Sequence, residues 1–238
     1  MAHISRKELK KDEFRESLAH GADAVLSHQQ LTLYLLIAAL VIALGGYGWW
    51  TYSERQTLKA SVPFDAAMKI FEAPIATPGA PPTPGVPTYT DADKKYADAA
   101  QKFGDVAAKY PHTRPGQLAK YYYALSLEKL GKNDQARSLL QPLAGGNGEF
   151  AAMAKFELAE LDDFTGRGDE AVKFYQQLMD KPTLLVPKPV AMLALAEHYR
   201  EKDPAQAAKL YGQIKSEYPD TKIADQASQE LALLPGKS

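Results

Sequence analysis

Residues Leu31 to Trp50, LTLYLLIAALVIALGGYGWW, form a run with no Asp, Glu, Lys, Arg, His, Asn or Pro. At a helical rise of about 1.5 Å per residue, the run makes a rod of roughly 30 Å, the thickness of a bilayer's hydrocarbon core. Hydrocarbon offers no partner to a peptide group, so a segment placed there must satisfy its own backbone as a helix. Tyr47, Trp49, Trp50 and Tyr52 close the run with rings that favour the headgroup zone. The run is therefore read as a single transmembrane helix, 31–50. A core helix would show a polar face, which this run lacks. A cleaved signal peptide is the stronger rival, with its apolar stretch of about 7–15 residues and its small-residue cleavage site. Here the stretch is longer, and bulky Tyr47, Trp49 and Trp50 follow the small Gly45 and Gly46, which favours an uncleaved anchor.

Composition excludes several kinds of chemistry. The chain has no cysteine, which removes disulfides, iron–sulfur clusters, thiolate nucleophiles and cysteine zinc sites. Its 28 basic and 29 acidic residues nearly cancel, and nucleic-acid binding would need a basic surplus on one face. Basic residues flank the run almost evenly, Lys11 and Arg15 before it and Arg55, Lys59 and Lys69 after it. Arg6, Lys7 and Lys10 tip the balance toward the tail, so the tail is expected inside and the large domain outside.

The tail, 1–30, reads as an amphipathic helix. Phe14, Leu18, Ala22 and Val25 share a face, and Ser5 with Glu8 fits a capping box. It serves either as a solvated lead into the anchor or as a helix that docks on a partner or a membrane surface. Residues 51–72 continue as a helical extension. The segment 73–90 contains APIATPGAPPTPGVPT, whose prolines fix φ and remove donors, so it reads as an extended insertion or linker.

From Asp91 the pattern changes to helical periodicity that repeats. Ala136, Ala171 and Ala207 mark equivalent places, 35 and 36 residues apart. Each unit is an apolar helix, a turn with Gly or Pro, and a second helix with alanine four residues before Leu140, Tyr175 or Tyr211. Two helices per period of about 34 residues resemble tetratricopeptide repeats. The match runs through Ala124, Gly131, Ala136 and Leu140, then Ala159, Gly166, Ala171 and Tyr175, then Ala196, Ala207, Tyr211 and Pro219. In the last unit Asp203-Pro204 replaces the turn glycine. Upstream, Ala99, Phe103 and Pro111 fit a second helix whose first helix is supplied by 59–72, with the insertion splitting the unit. The expected fold is all-α: one transmembrane helix, then a tetratricopeptide-like solenoid of three to four hairpins over 91–234. Its units are about 91–111, 117–150, 152–185 and 188–219, with a capping helix at 221–234. Phe103, Tyr175 and Tyr211 are expected in the core.

No catalytic constellation emerges, and neither a cofactor nor a metal site is expected. The five histidines are scattered. Glu197-His198 lacks the second histidine of a zinc helix, so His198 is expected on a helix surface. Gly145-Gly146-Asn147-Gly148 lacks the lysine of a phosphate loop and reads as a turn. Asp162 and Asp163 point in different directions on a helix. Stacked hairpins line their concave side with first helices. The repeat register puts Tyr121, Leu125, Phe156, Glu160, Asp163, Leu193, Glu197 and Arg200 there as candidate partner-binding residues. Phe156 and Leu193 are equally readable as core. Aromatics amid carboxylates suit a peptide or helix from a partner protein.

A short tail, one anchor and an exported repeat domain together resemble the bacterial YfgM-like family, ancillary subunits of the SecYEG translocon. The similarity covers the whole layout. It implies an inner-membrane protein with a cytoplasmic N-terminus and periplasmic repeats. Its partners would be Sec translocon subunits and periplasmic chaperones or emerging, unfolded chains. YPHT and YPDT also resemble repeats in outer-membrane assembly and cell-division coordinator proteins, so an envelope scaffold is the alternative and an enzyme the remote one.

Overall fold

The computed structural model describes residues 29–76 and 88–234. Most of the tail, and residues 77–87 of the insertion, lie outside the described residues. The chain divides into two compact units, 1–55 and 56–238. In the first unit, α1 (Gln29–Phe71) begins, and its Leu33–Phe71 part is long and apolar enough to cross a membrane. In its apolar start the large side chains are bare, with Ile42 74 % and Trp49 72 % exposed. The Thr51 hydroxyl donates to the Tyr47 and Gly48 carbonyls, each at 3.0 Å, so even this polar group is satisfied within the helix.

In the second unit, the end of α1 is followed by α2 (Ala92–Lys109), α3 (Arg114–Lys129), α4 (Asn133–Ala144) and α5 (Glu149–Phe164). Then come α6 (Gly168–Asp180), α7 (Lys188–Lys202), α8 (Pro204–Glu217) and α9 (Lys222–Leu233). Among the described residues the only non-helical pairing is one bridge between Ile75 and Tyr89. There Ala76 N–H donates to the Tyr89 carbonyl at 2.7 Å, and Tyr89 N–H to the Pro74 carbonyl at 3.2 Å. The two ends of the proline-rich segment are thereby pinned together. Phe64 and Phe71 of α1 pack on Phe103 of α2, with centroids 5.8 and 6.1 Å apart, and Tyr122 of α3 stacks on Phe103 at 5.4 Å.

The stack is all-helical and tetratricopeptide-like, as the periodicity predicts. Small residues set its spacing. Ala99, Ala124, Ala136, Ala159, Ala171, Ala196 and Ala207 are wholly buried, which lets paired helices approach closely. Large residues then fill the gaps between hairpins: Phe103, Leu140, Tyr175 and Tyr211 are at most 2 % exposed. The core clusters cross hairpin boundaries. One joins Ala100 of α2 to Leu127 of α3, Leu140 of α4 and Leu158 of α5. Another runs from Ala159 through Tyr175, Met192 and Tyr211 to Ala227.

The connections follow local chemistry. Gly131 and Gly166 end first helices at φ +71° and +81°, a left-handed conformation that glycine adopts without a Cβ penalty. Asp203 instead caps α8 by accepting from Gln206 N–H at 3.1 Å, with Pro204 in the first turn, where its missing donor costs nothing. YPHT and YPDT make one connector used twice. Thr113 donates to the Tyr110 carbonyl at 3.0 Å and accepts from Gly116 N–H at 3.1 Å. Thr221 does the same with Tyr218 at 2.8 Å and Ala224 at 3.2 Å. Each motif ends one helix and caps the next.

Ala171→Leu should lower the thermal midpoint of the full chain in detergent micelles, because three added heavy atoms have no room between α5 and α6. Overpacking of this kind costs roughly 1–3 kcal/mol. Gln176→Leu, on the exposed side of the same helix, should change the midpoint far less. Equal losses would show that Ala171 does not set the hairpin spacing.

Candidate interaction groove

First helices of successive hairpins adjoin: α3 meets α5, α5 meets α7, and α7 meets α9. The backbones of the second helices α2, α4, α6 and α8 do not come as close to one another. A stack whose members lie closer along one side curves toward that side. The inner face of the second unit is therefore made of α3, α5, α7 and α9.

The candidate residues lie on these helices, in two groups. Glu160, Asp163, Glu197 and Arg200 line one open recess of about 490 Å³, whose wall also includes Tyr175 and Lys202. Tyr121 stands apart on α3, its hydroxyl donating to Glu157 Oε2 at 3.1 Å. Leu125 is half-buried beside it. Phe156 and Leu193 are half-buried against the core, Phe156 edge-on to Tyr175 at 6.0 Å. A separate recess of about 570 Å³, walled by Gly104, Tyr123, Pro142 and Phe150 among others, contains none of the candidates.

The adjacent aspartates of α5 do diverge. Asp162 is wholly buried and takes Arg137 Nε at 2.8 Å and Arg167 Nε at 2.7 Å, tying α4 and the α5–α6 turn to α5. Its hydrogen bond pushes the Arg137 guanidinium pKa up, although burial opposes this. Asp163 faces α7, with His198 Nδ1 at 2.8 Å and Lys202 Nζ at 3.1 Å. His198 is thus not the surface residue that the sequence predicts, being only 8 % exposed. The reason lies across the hairpins. Asp163 gives the ring a partner, and Gly168 leaves it room, since a Cβ there would stand 2.7 Å from His198 Cε1.

Three carboxylates of the groove escaped the sequence reading: Glu128, Glu157 and Glu230. Glu128 lies seven residues after Tyr121 and Glu157 three before Glu160, spacings that share a helix face and were available as a signal. Burial pushes the Glu157 carboxyl up to about 8, aided by its hydrogen bond to the Glu128 carboxyl and by the charges of Glu128 and Glu160. Glu160 and Glu197 are pushed up as well, first by desolvation, then by Glu128 and Glu197 for the former and by Glu230 for the latter. Desolvation and Glu157 likewise raise the Tyr121 phenol. Glu230 accepts from Arg200 Nη1 at 3.4 Å, and Glu197 from Gln226 Nε2 at 3.3 Å. No group of three metal-binding side chains occurs among the described residues.

A curved stack of helical hairpins with polar groups on its inner face defines an interaction scaffold. Residues 27–184 match the family described as tetratricopeptide repeat-like domain, and residues 190–221 match the tetratricopeptide repeat. The chain belongs to the tetratricopeptide repeat-like domain family, whose members are typically non-catalytic scaffolds for protein–protein interaction. No curated protein matches it. No solved structure matches it either.

The raised Glu157 carboxyl has a measurable consequence. The folded chain holds this proton more tightly than the unfolded chain, so its contribution to stability is full below the ordinary value of 4.5 and is lost as pH rises toward about 8. Urea unfolding of the full chain in micelles should show stability falling over that window. Glu157→Gln should flatten the fall without abolishing it, because Glu160 and Glu197 slope the same way. An unchanged slope in the variant would contradict the assignment.

Proposed function

We propose that this chain is a membrane-anchored scaffold that holds segments of partner proteins against its inner face and turns nothing over. The observation that carries the reading is the adjacency of first helices along one side, which makes a groove of α3, α5, α7 and α9. Half-buried Tyr121, Leu125, Phe156 and Leu193 supply apolar contact there, and Glu160, Asp163, Glu197 and Arg200 supply polar contact. Binding energy in such surfaces concentrates in a few anchors, aromatic residues and arginine above all.

The apolar start of α1 serves as the anchor, with the tail in the cytoplasm and the repeats in the periplasm of a bacterial inner membrane. The five basic residues of the whole tail, against Arg55, Lys59 and Lys69 after the run, support that orientation. The position is beside the Sec translocon, and the partners are translocon subunits, periplasmic chaperones or emerging chains. The layout of tail, single apolar span and repeat stack supports this placement.

A photo-crosslinking residue at Leu125 or Leu193 in the full chain, expressed in its native membrane, should give adducts with translocon subunits or periplasmic chaperones. The same residue at Ser138 or Lys209, exposed positions on the second helices, should give none. Adducts confined to the second-helix positions would overturn the groove. Groove adducts with outer-membrane assembly or septal proteins would replace the translocon by the alternative scaffold role.

A further inference from the structure

The inner face carries more carboxylates than its own cations can satisfy. Glu128, Glu157, Glu160, Glu197 and Glu230 come from four different first-helix positions of the stack, α3, α5, α7 and α9. Arg200 is committed to Glu230 and Lys202 to Asp163. Among the described residues neither Glu160 nor Glu197 has a cation in contact, and both carboxyls are pushed up, first by desolvation and then by their acidic neighbours. A second, independent feature lies behind them. The Tyr211 side chain is wholly buried, and its hydroxyl has no hydrogen-bond partner. Burial raises that phenol first, and the charges of Glu197 and Glu230 on α7 and α9 raise it further, so it stands within reach of these carboxylates. An unpaired buried hydroxyl is costly.

We infer that the groove selects a cationic, amphipathic segment of a partner protein, with lysine or arginine on Glu160 and Glu197 and apolar residues on Phe156 and Leu193. The inference rests on the reading of the inner face as the protein-binding surface and names the chemistry of its occupant. Charge complementarity argues for it. The cations the face already holds, Lys129 beside Glu128 at 3.9 Å, Arg200 on Glu230 at 3.4 Å and Lys202 on Asp163 at 3.1 Å, show the contacts an incoming side chain would repeat. An acidic segment would meet like charge along α5 and α7, and such juxtaposition rejects wrong partners. A neutral segment would leave the carboxylates of Glu160 and Glu197 as they are. A cationic one relieves their mutual repulsion on binding.

The test uses the full chain in nanodiscs of phosphatidylcholine, a lipid without net charge. Three fluorescent peptides of equal length are titrated by anisotropy: leucine with lysine, leucine with glutamine, and leucine with glutamate. The lysine peptide should bind roughly ten-fold tighter than the glutamine peptide at low salt, and the advantage should shrink as salt screens the charges. The glutamate peptide should bind weakest. The double substitution Glu160→Lys with Glu197→Lys should abolish or invert the order, with circular dichroism showing the helices intact. Should that variant fail to fold, Glu160→Gln with Glu197→Gln should remove the lysine advantage. Equal binding of the three peptides would overturn the charge selection and leave the groove itself standing. A lysine advantage that survives in the variants would overturn it too, by placing the segment elsewhere. Failure of every peptide to bind would end the inference, and the groove would then be decided by the crosslinks at Leu125 and Leu193 alone.

Discussion

No hairpin in this stack buries its own apolar face, and everything else follows from that shortage. A lone pair of helices leaves one side bare, so each hairpin needs the next. The contact must be close on the alanine side and filled on the other. Ala136 and Ala171, wholly buried, meet the first demand, and Leu140 and Tyr175 meet the second. The last hairpin has α9 to cover it, through Ala224 and Ala227. The first draws its partner helix from the end of α1, where Ala67 is wholly buried beside Ala99 and Phe103. The helix that starts as an apolar run therefore ends as part of the repeat core.

The same packing shapes the surface that acts. Helices whose backbones lie closer along one side than along the other curve the second unit, and the inner side collects residues that the core does not need. Carboxylates gather there at a cost to the folded state. Glu157 shares its surroundings with Glu128 and Glu160, and its raised carboxyl is the sign of that cost. Asp162 shows the contrasting case. It is equally acidic and wholly buried, yet two arginines reach it, and it holds three segments together. Removing one partner of such a buried set leaves uncompensated charge, a loss of about 3–5 kcal/mol. One acidic group is thus structural and its neighbours are available for contact. The difference lies in which helix faces them.

Much of this was legible in the chain. Period and residue class sufficed for the hairpins, because alanine and aromatic spacing reports directly on helix contacts. Pro111 and Pro219 marked the ends of two units, although the hydroxyl geometry at Thr113 and Thr221 was not evident from them. Register put the eight candidates on α3, α5 and α7, and four of them meet in one recess. What the sequence concealed were pairings across hairpins. His198 and Asp163 stand 35 residues apart, and Arg137 and Asp162 stand 25 apart. No periodicity announces such pairs, since they depend on how one hairpin sits on the next. Glu157 escaped for a different reason. Its burial depends on the neighbouring α3, whose Tyr121 and Glu128 lie against it.

The central claim is that the stack curves toward its first helices and so makes a groove on that side. The chain has no cysteine, so pairs of spin labels can be introduced without removing anything. One pair goes on first helices, at Lys129 and Glu201, and one on second helices, at Ser138 and Lys209; all four are exposed and each pair spans two hairpins. Dipolar distance measurements on the full chain in nanodiscs should find the first-helix pair closer than the second-helix pair. Equal distances, or the reverse order, would mean that the inner face has been assigned to the wrong side.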